Sequence, residues 1–111
     1  MFQADAIQVV VSNGEELLSA ILNPEAAFII VKNNVTINSR FWPVDGATVN
    51  RTLNLLGDTD SCTNSMCTID AEGHALHPIR HFNVLNYARF VALNIRFKGG
   101  YIDIGQVGVQ E

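Results

Sequence analysis

From Phe28 onward the chain is a succession of short β-rich segments separated by turn-forming residues. Asn, Gly, Asp and Ser fill the intervals, and these residue types permit sharp corners and positive φ. Such brief segments, rich in β-branched and aromatic residues, predict strands rather than helices. There are eight: FIIV at Phe28, VTI at Val35, TLNLL at Thr52, CTID at Cys67, FNVL at Phe82, FVALNIRF at Phe90, YIDI at Tyr101 and QVGV at Gln106.

One segment near the N-terminus has helical periodicity and follows a predicted strand, IQVVV. Ser12 and Glu15 are spaced as in a capping box, and Asn23 precedes a proline, which ends a helix. The sequence therefore predicts one short helix here. Its apolar face would be formed by Leu17, Leu18, Ile21 and Leu22.

Composition limits both the size of the fold and its partners. At 111 residues, with 48% hydrophobic and 16% charged, the chain can form one domain with a packed core. A net charge of −4 and seven scattered Lys and Arg residues argue against nucleic-acid binding. Its longest apolar runs are far shorter than the ~20 residues of a membrane-spanning helix.

Two pairs of segments resemble each other at longer separation. RTLNLLG, beginning at Arg51, is echoed by RHFNVLN, beginning at Arg80, at an offset of 29 residues. The segment at Cys67 relates similarly to the one at Phe90, at an offset of 23 residues. These offsets are typical of repeat architectures, in which units stack to bury their apolar faces. An antiparallel sandwich is the alternative, but two-residue hairpin turns are nearly absent.

The order of IQVVVSNGEELLSAI, FIIVKNNVTI, RTLNLLGDTDSCTNSMCTIDAEG and RHFNVLNYARFVALNIRFKGGY resembles the N-terminal cap and first coils of the pectin-lyase-like superfamily. Its repeats are similar to those of polymorphic outer-membrane proteins, because Asn94–Gly100 matches N-x-x-F-x-G-G. The second half of that repeat is degraded to Gly105–Gly108. The resemblance implies an all-β fold, a right-handed parallel β-helix (solenoid) with a short N-terminal capping helix.

The expected layout is a single unit, with residues 1–27 as the cap and residues 28–111 as about three coils. Asn54, Asn83 and Asn94 are expected at strand edges or corners, and Gly99 and Gly100 at a bend. The expected core comprises Leu53, Leu55, Phe82, Val84, Val91, Leu93, Ile95 and Phe97.

Two features favour an extracellular location, although the N-terminus as numbered has no leader. Cys62 and Cys67 lie in a loop too polar for a core strand, which favours a local disulfide over buried free thiols. Asn34 and Asn50 begin N-glycosylation sequons in predicted turns. Unmodified asparagines are an equal alternative.

Histidines and carboxylates near residue 75 are the strongest metal-ligand candidates. Imidazole and carboxylate both bind zinc, but Pro78 breaks any helix that would align the histidines. Solvated loop residues are the favoured interpretation, and no cofactor is expected. The candidates are Asp70, Glu72, His74, His77 and His81.

Other candidate chemistry is weaker. Asp58 and Asp60 could bind calcium, but turn and capping roles are favoured. Basic residues such as those of polysaccharide lyases are present at Arg80, Arg89 and Arg96, for which solvated positions are the simpler explanation.

Phe41 and Trp42 lie in a polar loop and could stack on a sugar. Folding back over a corner of the fold is the favoured alternative.

These patterns predict a non-catalytic, extracellular structural or adhesive module that is a subunit of a larger surface assembly or fibre. Further coils or another subunit are expected at its C-terminal end, where strand edges would otherwise be unpaired. A fragment of an enzyme acting on acidic polysaccharide is the alternative.

Overall fold

The computed structural model describes residues 7–72 and 79–99. Within these residues there are one α-helix, nine strands and a 3₁₀ turn at Thr63–Ser65. The helix α1 is Gly14–Leu22, and the strands are β1 (Ile7–Val11), β2 (Ala26–Val31), β3 (Val35–Ile37), β4 (Ala47–Val49), β5 (Thr52–Gly57), β6 (Cys67–Ala71), β7 (Phe82–Val84), β8 (Arg89–Leu93) and β9 (Ile95–Lys98).

The strands form three separate sheets, and every pairing within them is parallel. The largest sheet has the order β1-β2-β5-β8, the second β3-β6-β9, and the smallest β4-β7. In each sheet the strands follow one another in chain order, so the latest strand lies at one edge.

The predicted fold class, an all-β right-handed parallel β-helix (solenoid) with a capping helix, is wrong. The structure is a small, compact α/β arrangement of parallel sheets with four, three and two strands and one helix. The helix is part of the core rather than a separate plug. Its residues Leu17, Ala20 and Ile21 share one hydrophobic cluster with residues of the strands.

The sequence echoes that indicated a repeat do not correspond to paired strands. The segment after Arg51 pairs with β8, so that Leu53 lies beside Phe90 rather than beside Phe82. Phe82 pairs with Ala47 of β4, and Cys67 pairs with Ile95 of β9. The matching apolar and Asn positions therefore predicted the existence of these strands correctly, but they predicted the wrong strand pairs.

Core-facing and outward-facing residues alternate along each strand, and this alternation is interrupted at one residue, Asn94. The interruption was not predicted from the sequence. Asn94 has φ 59, a left-handed conformation that breaks FVALNIRF into β8 and β9. Phe90 and Ala92 are buried on β8, whereas Leu93 is 47% exposed.

The predicted core is therefore correct only in part. Leu53, Leu55, Phe82 and Ile95 are buried as expected. The side chains of Val84, Val91 and Phe97 are only half-buried.

The helix begins one residue later than predicted. Asn13, not Ser12, is the N-cap, and its side-chain oxygen accepts a hydrogen bond of 2.8 Å from the amide of Glu16. The Glu16 carboxylate in turn accepts a bond of 2.7 Å from the amide of Ser12. Reciprocal bonds of this kind satisfy amides that have no partner inside the helix. With nine residues, α1 is too short to cross a membrane, and the described residues contain no spanning helix.

Candidate functional site

The outer edges of β7, β8 and β9 face the same end of the molecule, which we call the open end. Each of these strands pairs on one side only within the described residues. In the earlier strands, core-facing residues direct their backbone groups toward the next strand. For example, the carbonyl oxygens of Val31 and Val49 accept bonds of 2.8 and 3.0 Å from Asp58 and Leu85.

By the same alternation, the core-facing residues of the last strands direct their N–H and C=O groups away from the preceding strand. These groups have no strand beside them in the part of the chain that the structure describes. Unpaired strand edges of this kind are templates for pairing with another chain. The residues concerned are Phe82, Val84, Phe90, Ala92, Ile95 and Phe97.

Aromatic side chains give the open end an apolar interior. The ring of Phe82 lies 4.7 Å from that of Phe90 and 5.9 Å from that of Phe97, measured between centroids. Phe82 and Phe90 are buried, whereas Phe97 is half-buried. Within the described residues, the open end thus combines backbone groups that have no strand beside them with a largely buried aromatic cluster.

His81 is buried beside this aromatic cluster. Its ring lies 5.2 Å from that of Phe97, and Nε2 is 3.1 Å from the Ile69 carbonyl oxygen and 3.2 Å from that of Lys98. Because both partners only accept, Nε2 carries the proton of the neutral ring. Burial lowers the pKa of His81, although the two carbonyl oxygens oppose that shift.

The candidate metal ligands that the structure describes do not come together. His81 uses Nε2 as a structural donor, and its buried Nδ1 has no hydrogen-bond partner among the described residues. Asp70 and Glu72 are described, but no group of three metal-ligating residues occurs in the described ranges. His74 and His77 lie outside the described residues.

The opposite end of the molecule is covered by α1. The helix packs against β1, β2, β3 and β4. Arg51 fastens its C-terminal end by donating bonds of 3.0 Å to the Ile21 carbonyl oxygen and 2.8 Å to that of Asn23, and a third of 3.1 Å to that of Ala26. This role of Arg51 was not predicted. The available signal was that α1 has acidic residues in its first turn and no basic residue in its last, so a cation from elsewhere in the chain is favoured at its C-terminal end.

Cys62 and Cys67 form the predicted disulfide, which closes a loop beside β6. Asp58 shapes the start of this loop, because its carboxylate accepts bonds from Ser61 Oγ at 2.8 Å and from the Asp60 amide at 3.1 Å. Those two bonds, and to a smaller extent Lys32, hold the pKa of Asp58 below its ordinary value. Asp58 therefore has a turn role, and its oxygens are engaged by donors of the protein.

Both sequon asparagines are exposed. Asn34 precedes β3, and its Oδ1 accepts a bond of 2.9 Å from the amide of Thr68. Asn50 lies between β4 and β5. A glycan is attached through the side-chain nitrogen, so the bond made by Asn34 Oδ1 is compatible with modification. Glycosylation stays a prediction.

Trp42 folds back into the core, which was the favoured alternative to a sugar contact. Trp42 is 2% exposed, and its Nε1 donates a bond of 2.9 Å to the His81 carbonyl oxygen. Its ring packs edge-on against Phe82 and Phe41. Phe41 is half-buried and approaches Gly14 of α1, where an added Cβ would lie 2.6 Å from its ring. These aromatics join the helix to the smallest sheet.

The three candidate basic residues do not form one site. Arg89 and Arg96 are exposed at β8 and β9, whereas Arg80 is half-buried and its amide donates a bond of 3.2 Å to the Val44 carbonyl oxygen.

Comparison with known proteins gives no relative from which a role could be transferred. No protein-family model, curated protein or solved structure matches this chain.

Proposed function

We propose that the chain is a non-catalytic structural or adhesive subunit of an extracellular assembly, joined to another copy through the open end. The observation that carries this proposal is the position of β7, β8 and β9, which each have a neighbouring strand on one side only among residues 7–72 and 79–99. A strand edge with no neighbouring strand favours pairing with another chain.

The open end of a second copy is the better match for this end than its helix-covered end. A head-to-tail arrangement would bring the helix-covered end of the next copy against β7 and β9. There α1 packs on β3 and β4, so it blocks the position that an added strand would need. An open-end contact between two copies is related by a two-fold axis, which is the commonest symmetry of soluble oligomers.

Covalent features support an extracellular setting. The Cys62–Cys67 disulfide persists in oxidising compartments, and cytosolic reductants normally keep such pairs reduced. The sequons at Asn34 and Asn50 lie on exposed segments accessible to modification.

The proposal is tested by blocking one free backbone group without altering a paired one. Leu85 donates to Val49, so the amide of Val84 points the other way, toward the open end. Val84→Pro removes that N–H and leaves the bonds between β4 and β7 in place. Val84→Ala is the matched control, because it shortens the side chain and keeps the amide.

Sedimentation velocity and hydrogen exchange provide the readouts. We expect wild type and Val84→Ala to associate with rising concentration, with increasing protection of the Phe97 amide, whose residue is only half-buried. Val84→Pro, checked for folding by circular dichroism, should lose both effects. Equal association of Val84→Pro and Val84→Ala, or no concentration-dependent protection in wild type, would overturn the open-end contact.

A further inference from the structure

An unbroken apolar row crosses the outer face of the four-stranded sheet. The strand register places Val10 beside Ile30, Ile30 beside Leu56, and Leu56 beside Leu93. These four residues, the outer apolar row, alternate with buried neighbours and so point away from the core. Val10 is 55% exposed and Leu93 47% exposed.

The next row adds two apolar and two polar side chains to this surface. Gln8, Phe28, Asn54 and Val91 lie side by side in the register, and Phe28 is 36% exposed. Parallel sheets are ordinarily covered on both faces. A contiguous exposed apolar patch on a small protein therefore indicates a binding surface.

The charges at the border of this surface are self-complementary. Lys32 and Asp58 follow the ends of β2 and β5, and Lys32 Nζ lies 3.8 Å from Asp58 Oδ2. The outer apolar row itself has no charge, although the chain as a whole has a net charge of −4. The outer apolar rows of two copies can therefore meet without electrostatic repulsion between the rows themselves.

We infer that the outer apolar row packs against the same row of a second copy, about a two-fold axis parallel to the strands. This axis reverses the strand order, so β1 faces β8 and β2 faces β5 of the other copy. Val10 then opposes Leu93, and Lys32 of each copy opposes Asp58 of the other. A two-fold axis along the row would instead place Lys32 against Phe28 of the other copy and leave both charges without an opposite partner.

The size of the face indicates a weak contact. Four strands spaced by ~4.8 Å, each contributing about five residues of ~3.3 Å, give a face of roughly 300 Å². The roughly 600 Å² buried by two copies is below the ~1,200 Å² of a stable interface. The contact therefore forms at high local concentration. This contact uses the outer face of the four-stranded sheet, whereas the open-end contact uses the outer edges of β7, β8 and β9. Either contact can therefore be disproved without the other.

Charged substitutions at the two most exposed positions test the pairing directly. Val10→Glu places carboxylates against Leu93 of the other copy, and Leu93→Lys places ammonium groups against Val10. A mixture of the two variants restores one apolar pair and creates one opposite-charge pair. Thr48→Lys, on the exposed side of β4, is the matched surface control.

Sedimentation equilibrium over roughly 10 μM to 1 mM measures each affinity, with Val84→Pro included to separate the open-end contact. We expect Val10→Glu and Leu93→Lys each to associate about tenfold more weakly, and their mixture to recover the affinity. Thr48→Lys should associate like wild type. Val84→Pro should leave the affinity of the outer apolar row unchanged. Single variants that associate like Thr48→Lys, or a mixture no tighter than its components, would overturn the inferred dimer. Since both positions are about half exposed, the variants should fold, which circular dichroism checks.

Discussion

Arg51 donates a hydrogen bond of 2.8 Å to the carbonyl oxygen of Asn23, the residue that caps the C-terminal end of α1. The last turn of α1 contains no basic residue, so Arg51, more distant in sequence, supplies the positive charge favoured at this helix end. Further bonds to the Ile21 and Ala26 carbonyl oxygens tie the helix to the start of β2. Arg51 thereby holds α1 over the covered end.

Arg51→Ala should destabilise the fold by about 2 kcal/mol, because three backbone acceptors lose a charged donor. Arg51→Lys keeps the charge, but a single ammonium nitrogen cannot reach the three carbonyl oxygens that three guanidinium nitrogens contact, so its loss should be about half as large. Urea unfolding measures both. Equal stability of Arg51→Ala and wild type would show that water replaces the guanidinium without cost.

Removing the disulfide should cost about 2 kcal/mol, as expected for the closure of so short a loop. Cys62→Ala with Cys67→Ala tests this, since alanine leaves no hydroxyl at the buried Cys67 position. Reduced wild type is the companion sample, because it retains the side-chain volume. If the double variant and the oxidised protein unfold at the same urea concentration, the loop does not contribute to stability.

His81 should make the fold sensitive to mild acid. Its pKa is lowered by burial from the ordinary value of 6.5, so the unfolded chain binds the proton more readily than the folded one. Stability is therefore complete above about pH 6.5 and falls as the pH drops from there through the folded-state pKa.

His81→Gln is the control for this acid sensitivity, because its amide nitrogen can still donate to the Ile69 and Lys98 carbonyl oxygens. The difference in unfolding midpoint between about pH 7.5 and 5.5 should shrink in this variant. An unchanged difference would assign the acid sensitivity to other groups.

Gly57 should tolerate no side chain. It is buried on β5, and an added Cβ would overlap the carbonyl oxygen of Asn94. Gly57→Ala should therefore cost about 2 kcal/mol through backbone displacement. Asn94→Gly is the opposite case, because Asn94 has φ 59 and glycine accepts this conformation freely. Thermal unfolding should show a loss for Gly57→Ala and little change for Asn94→Gly; a neutral Gly57→Ala would contradict the close approach.

The sequence predicted the local elements better than their association. The predicted apolar segments covered eight of the nine described strands, with β8 and β9 in one segment and β4 missed, and the position of the helix was correct to one residue at its start. Strand partners depend on backbone packing between distant segments, so the echo of RTLNLLG in RHFNVLN gave a false pairing. The missed φ of Asn94 inverted the predicted phase of β8, which placed Leu93 in the core.

Candidate site residues were predictable only where chemistry is local. Cys62 and Cys67 are close in sequence, and their loop is polar, which was enough to predict the disulfide. Trp42 and His81 could not be assigned in this way, because the indole donor and its carbonyl acceptor are 39 positions apart. The outer apolar row could not be predicted from the sequence, because its four residues are neighbours only in the register of four paired strands.

The open end is tested most directly by sedimentation velocity of the whole chain over a range of concentrations, compared with Val84→Pro and Val84→Ala. We expect the association of wild type and Val84→Ala to increase with concentration. Val84→Pro should associate only through the outer apolar row. A wild-type chain that remains monomeric at every concentration would contradict the proposed assembly.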